Sequence, residues 1–282
     1  MLFLFLVNSY TKLTTPDSEI FNCFFDSVTS TPVRSTQFLR MKNVIFFRCS
    51  DPTRGGAFIL TGGSTIDKVC CASCSAYYYH AFLVADANIS LLSVFNCPPT
   101  LRTNGDDITN YAGEDNLRNI NVSHCYTTAG SAFQEHSIRS YTRKFATTQS
   151  STLFAWNQIH DILCVASISY NNVISNRFNT GLLFLRASNA VITNSYFYGS
   201  TGKRDISKMN GGTGTISDSV VESWMKSYIT CKNCTTSGKP IPMTMLKTFK
   251  CDAVLYPSVE FTLVKSHLAS LIISLLTLLL DY

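Results

Sequence analysis

The chain has 282 residues, a formal net charge of +5, and 45% hydrophobic residues including 19 Phe and 13 Tyr. That is enough apolar matter for a sizeable core and excludes a disordered chain. Only 15% of residues are charged, whereas Ser, Thr and Asn total 82. These residues compete with the helical backbone, which disfavours a helical bundle or coiled coil, and the sparse, scattered positive charge excludes a basic nucleic-acid arm.

In chain order, Met1–Val7 is apolar and lacks a basic start. Residues 1–19 are read as a first strand or cap, with a minimal signal segment as the alternative. From residue 20 the pattern becomes repetitive. Cys23, Cys49, Cys74, Cys97 and Cys125 recur at intervals of 26, 25, 23 and 28 residues. Gly56-Ala57-Phe58-Ile59-Leu60 returns as His80-Ala81-Phe82-Leu83-Val84 and as Gly181-Leu182-Leu183-Phe184-Leu185. Each is followed by polar residues and a second short apolar strand. Asn172–Phe178 and Ala190–Tyr196 make a tighter copy, offset by 18.

The pieces are about three to five residues long, rich in β-branched and aromatic types, and separated by Asn, Ser, Gly and Asp. About three of them per repeat suit a parallel β-helix over residues 20–238, all-β, with the five cysteines as an inward ladder of free thiols. Residues 239–260 are read as a C-terminal cap. Residues 261–282 are read as an apolar helix, because Leu268–Leu280 carries no charge. Thirteen residues span about 20 Å as a helix, so a membrane anchor draws on the whole of 261–280, with Lys265 and His267 at its edge. Membrane attachment at the cell surface is the expectation for localisation, with an intracellular solenoid as the alternative.

Sites for chemistry are sparse. Asn104-Gly105-Asp106-Asp107 pairs two carboxylates, the residue type for glycoside hydrolysis, with His124 as a partner further on; the same residues are strong turn formers. Cys70–Cys74 and Cys231–Cys234 each contain a C-x-x-C, but no histidine stands at a matching offset, so no metal and no cofactor is expected. Arg139, Arg143 and Lys144 form the densest basic stretch and are read as a solvated loop. Tyr77-Tyr78-Tyr79 is the best binding candidate: in a strand, Tyr77 and Tyr79 share one face and Tyr78 takes the other, leaving an aromatic surface for a protein or a glycan. Asn88, Asn121 and Asn233 head glycosylation sequons, which matter only in a secreted chain.

The G-x-x-F-L-type units around Gly56, Ala81 and Gly181, with Phe-x-Cys or Tyr-Phe closing the repeat, resemble the right-handed parallel β-helix, or pectin-lyase-like, superfamily. Over residues 20–230 the chain looks most like the large β-helix surface proteins of parasitic protists. The resemblance implies a right-handed solenoid. The polygalacturonase branch of that fold also uses Gly-Asp-Asp, but with a further Asp, a Gly-flanked His and an Arg-x-Lys; here His124 is flanked by Ser123 and Cys125, and Arg118-Asn119-Ile120 lacks the Lys. The expectation is therefore a non-catalytic protein displayed at a surface and binding through its side, the alternative being a carbohydrate-active enzyme using Asp106 and Asp107.

Overall fold

The computed structural model describes residues 18–99, 107–127, 129–136, 140–159, 164–186, 188–202, 204–209, 211–222, 230–243, 246 and 262–264. Within them the chain is an all-β solenoid. Its early coils run β1 (Ser18–Asp26) and β2 (Val33–Ser35); β3 (Leu39–Phe47), β4 (Ser50–Arg54) and β5 (Phe58–Leu60); β6 (Ser64–Ala72), β7 (Ser75–Tyr78) and β8 (Phe82–Ala85). The middle coils run β9 (Ala87–Phe95) and β10 (Thr109–Ala112); β11 (Asp115–Ser123) and β12 (Ser131–Glu135); β13 (Ser140–Gln149) and β14 (Thr152–Ile159). The late coils run β15 (Val165–Ser169), β16 (Asn172–Ile174) and β17 (Arg177–Arg186); β18 (Asn189–Thr193), β19 (Tyr196–Tyr198) and β20 (Arg204–Met209); β21 (Thr213–Ser217) and β22 (Val220–Val221). Two short strands follow, β23 (Cys231–Lys232) and β24 (Thr262–Val264).

Every pairing is parallel, and each strand pairs with its counterpart in the next coil. A fourteen-stranded sheet carries β1, β3, β6, β9, β11 and β13 side by side, an eight-stranded sheet runs from β2 to β20, and β4 and β7 make a small third sheet. Parallel stacking lets each coil close the hydrogen bonds of the one before it.

The strands are longer than their sequence pattern suggests. β1, β3, β6, β9 and β11 each have nine residues. Each is bent in mid-strand by one left-handed residue: Asn22, Asn43, Lys68, Leu91 and Asn119, all with φ between 52° and 55°. The bend joins two walls of the coil without a loop. Tyr170, Asn194 and Asp218 take the same conformation in later coils, and there the strand is split, β15 from β16, β18 from β19 and β21 from β22. Asparagine is the ordinary residue for such a position, and Asn43 Nδ2 also donates to Asn22 Oδ1 at 3.0 Å across the stack.

Inward columns follow from the register. Met41, Ile66, Ile89, Leu117, Arg143, Ile168, Ile192 and Ile216 occupy one position in successive coils. All but one are apolar and fully buried, as ladder packing requires. On the opposite wall Phe58 stacks on Phe82 with centroids 4.7 Å apart. The copy offset by 18 is not structural: Val173 pairs with Phe197, and Ile192 with Ile168 and Ile216.

The C-terminal segment lies along the side of the coil. Ile241 meets Asn172, Met243 Sδ lies 2.9 Å from Thr147 Oγ1, and Leu246 packs with Phe24, Ile45, Cys70 and Ala72. These are outward-facing positions of the long sheet, and the segment accounts for their burial. β24 then pairs in parallel with β1. The expected cap over 239–260 therefore reaches, in its described part, along the flank. Apart from β24, the apolar helix expected over 261–282 lies outside the described residues. Among the described residues no helix is long and apolar enough to cross a membrane.

Candidate binding surface

β4 and β7 form a local ledge on the second and third coils, and the tyrosines sit on it. Pro52 breaks the pairing: Asp51 pairs with Ala76 and Arg54 with Tyr78, so three steps on β4 face two on β7, which is a bulge. The bulge is held by Asp51. Its Oδ1 accepts from Thr53 N (2.7 Å), Thr53 Oγ1 (2.6 Å) and Arg54 N (3.0 Å), and its Oδ2 from Thr31 N (2.9 Å), Thr31 Oγ1 (2.8 Å) and Arg34 Nη2 (2.9 Å). Burial pushes this carboxyl up, but the hydrogen bonds from Thr53, Thr31 and Arg54 outweigh burial and hold it well below the usual carboxylate range. Asp51 thus ties the first coil to the second and points Arg54 outward.

The Arg54 guanidinium carbon lies 5.6 Å from the centre of the Tyr78 ring. Tyr77 meets Tyr78 edge-on at 4.6 Å, and Tyr79 lies 6.3 Å from Tyr78. Tyr78 is the exposed member, at 40%. The expected sharing of a face by Tyr77 and Tyr79 is corrected here: β7 ends at Tyr78, and Tyr79 turns into the left-handed region with φ 55°, so strand alternation no longer applies to it. The three rings instead form one run centred on Tyr78. Sequence reasoning also missed Arg54 and Asp51; the Asp-Pro-Thr-Arg bulge signal was available, but nothing in it names the coil-to-coil neighbour.

Asp106 lies outside the described residues. Asp107 is buried before β10, and its Oδ1 accepts from Ser131 N (2.6 Å) and Ser131 Oγ (2.7 Å) of the next coil. Burial pushes its carboxyl up to about 7. His124 stands at the bend after β11, exposed, its ring 5.0 Å from that of Phe95. Asp107 is therefore a link between coils.

Of the sequon residues, Asn88 is exposed on β9 and Asn233 is exposed with its Nδ2 donating to Asp218 Oδ1 (3.0 Å). Asn121 is buried, its Nδ2 near Ser93 Oγ and Ser123 Oγ at 3.3 and 3.0 Å, so the folded coil does not offer it to a modifying enzyme.

Cys49, Cys74, Cys97 and Cys125 stack as buried free thiols. Each of the first three donates to a carbonyl of the preceding coil: Cys49 to Phe25 O (3.6 Å), Cys74 to Phe46 O (3.5 Å) and Cys97 to Cys71 O (3.5 Å). The column continues in oxygen, since Cys125 N donates to Ser151 Oγ (3.1 Å) and Ser151 N to Asn176 Oδ1 (3.0 Å). Burial pushes the Cys71, Cys74 and Cys125 thiols well up, which keeps them protonated. Cys23 is not in this stack. It shares a register position with Val44, one face away. Cys70 faces outward and is disulfide-bonded, with its partner outside the described residues.

The basic stretch also needs correction. Lys144 is exposed, but Arg143 is fully buried inside β13, and Arg139 lies outside the described residues. Comparison of the chain with protein-family models, with curated proteins and with solved structures finds no match.

Proposed function

We propose that the protein is a non-catalytic β-solenoid that binds a glycan through the β4–β7 ledge and is displayed at a membrane surface. The observation that carries the binding reading is the run of three tyrosine rings around exposed Tyr78 with Arg54 beside it. A sugar ring stacks on an exposed aromatic face, and a guanidinium beside it donates to hydroxyls or carboxylates. Asp51 and the bulge preset Arg54 before any ligand arrives, which lowers the ordering cost of binding. Display at a surface is supported by the apolar run Leu268–Leu280 and by exposed Asn88 and Asn233 in sequons. A right-handed, pectin-lyase-like coil is the finer form of this reading.

A glycan array probed with the full chain tests it, with Tyr78→Ala and Arg54→Ala as controls. Tyr78→Ala loses roughly tenfold in affinity, about 1.4 kcal/mol, without loss of stability. Equal binding by both variants removes the ledge from the reading, and hydrolysis of any bound glycan removes the non-catalytic part. A chain ending near Ser258 becomes soluble or secreted; unchanged membrane partitioning removes the anchor. A second reading, an intracellular structural solenoid, is favoured by the buried free thiols and opposed by the Cys70 disulfide, since disulfides persist in oxidising compartments.

A further inference from the structure

One inward column breaks its own rule. Between Leu117 and Ile168, in a position otherwise held by Ile, Leu and Met, stands Arg143, with no exposed surface. Its guanidinium carbon lies 3.9 Å from the centre of Phe133 and 4.4 Å from that of Trp156, so the charge is packed between aromatic faces. Nη1 is satisfied, donating to Asn157 Oδ1 (2.9 Å) and Tyr141 Oη (3.2 Å). Nε and Nη2 are not, and neither is Nδ2 of Asn157, the residue that Nη1 holds. Each of these is a buried donor facing the interior.

Acceptors stand on the same walls. Asp115, one coil earlier, shares its register position with Tyr141. Its Oδ1 accepts from Ala87 N at 2.7 Å, while its Oδ2 is buried without a partner. Glu135, on β12 between Tyr111 and Ile159, is also fully buried. Donors left unpaired in a dry interior are costly, and such groups in folded proteins are ordinarily satisfied by ordered water.

We propose that the interior of the coil around Arg143 is a binding site for ordered water, which accepts from Arg143 and Asn157 and donates towards the buried carboxyl groups. A small anion fits less well. It would satisfy the donors, but it has no hydrogen to give to a buried acceptor such as Asp115 Oδ2, whereas water both accepts and donates. The site makes Arg143 one member of a hydrated polar cluster, flanked by the rings of Phe133 and Trp156.

A crystal structure of the full chain that resolves solvent tests this, with a bromide-soaked crystal alongside. The expected result is solvent density at roughly 2.6–3.2 Å from Arg143 Nη2 and Asn157 Nδ2, with no anomalous signal there. Arg143 and Asn157 donating directly to protein groups, with no solvent between, overturns the proposal, and so does a bromide peak. Arg143→Met is the matching variant, because methionine already fills this column at Met41. Its crystals lose the solvent at that position. Retention of the same solvent in Arg143→Met shows that Arg143 does not hold it and overturns the assignment.

Discussion

Asn172 and Ile241 exchange two hydrogen bonds, Asn172 Nδ2 donating to Ile241 O at 2.9 Å and Ile241 N donating to Asn172 Oδ1 at 2.8 Å. The side-chain amide thus pairs with the main chain of the C-terminal segment as a strand would. Both groups face away from the coil interior, and Asn172 is nevertheless buried because the segment covers it. Asn172→Ala leaves the Ile241 amide and carbonyl unpaired, at about 1–3 kcal/mol. Hydrogen exchange at the Ile241 amide, which lies between Pro240 and Pro242, is expected to quicken markedly, with β6 and β9 unchanged. Unaltered exchange there shows that Leu246 and Met243 hold the segment alone.

Stability is expected to rise as pH falls from about 6.5 to 4. Burial raises Asp107 and Asp115 to about 7 in the fold, so each binds a proton there that the unfolded chain releases above its ordinary value. Stability from these two is full below about 4 and is lost as pH rises to 7. His80 acts oppositely: burial lowers it to about 4, so its stability is full above about 6.5 and is lost on acidification. Two carboxyls outweigh one imidazole. Below that range Asp51, held low by its hydrogen bonds, loses its stabilising charge and the trend reverses. Denaturant midpoints across pH check this, and Asp107→Asn, which keeps an acceptor for Ser131, flattens the slope.

Gly56→Ala is expected to destabilise the second and third coils. A Cβ at Gly56 would stand 2.5 Å from His80 O and 2.7 Å from Ser75 N, both backbone atoms of the next coil. The strands must part to admit it, at about 1–3 kcal/mol by the scale of overpacking. Gly211→Ala, with nothing within 4 Å of its Cβ, isolates the strain of its φ of +85° from crowding. Thermal melts of the two variants separate the causes.

Cys97→Ala removes the thiol that donates to Cys71 O and leaves a gap in the stack, at about 1–3 kcal/mol. Cys97→Ser is expected to cost less, because Ser151 already fills the equivalent position two coils on. A serine variant that unfolds more readily than the alanine variant shows that desolvating the hydroxyl exceeds the value of its hydrogen bond. In the intact protein Cys49, Cys74, Cys97 and Cys125 resist alkylation and label on unfolding, counted by mass spectrometry.

Much of the architecture was legible in the chain. The 23-residue return of Cys74 at Cys97 and the 24-residue return of the Ala-Phe unit match strand pairings such as Ser64 with Ala87 and Phe58 with Phe82, because stacking forces one residue type into one column. The offset of 18 misled, since a local likeness of Val-Ile-Ser-Asn to Val-Ile-Thr-Asn carries no register. Cys23 misled for a similar reason: its interval fits, but it lies before the second bend of its coil and Val28 packs where the next coil has Cys49.

The amino-acid sequence by itself determined that the protein is a repeating all-β coil with few charges, because period-two apolar pieces and turn-forming Asn and Ser act locally. Only the tertiary structure decided where those few charges go. Arg143 reads as a surface residue beside Lys144, yet one strand step separates a side chain in solvent from one in the core. Likewise Asp107 and Asp51 link neighbouring coils, since their partners Ser131, Thr31 and Arg34 stand about one repeat away in sequence and meet them only when the coils stack.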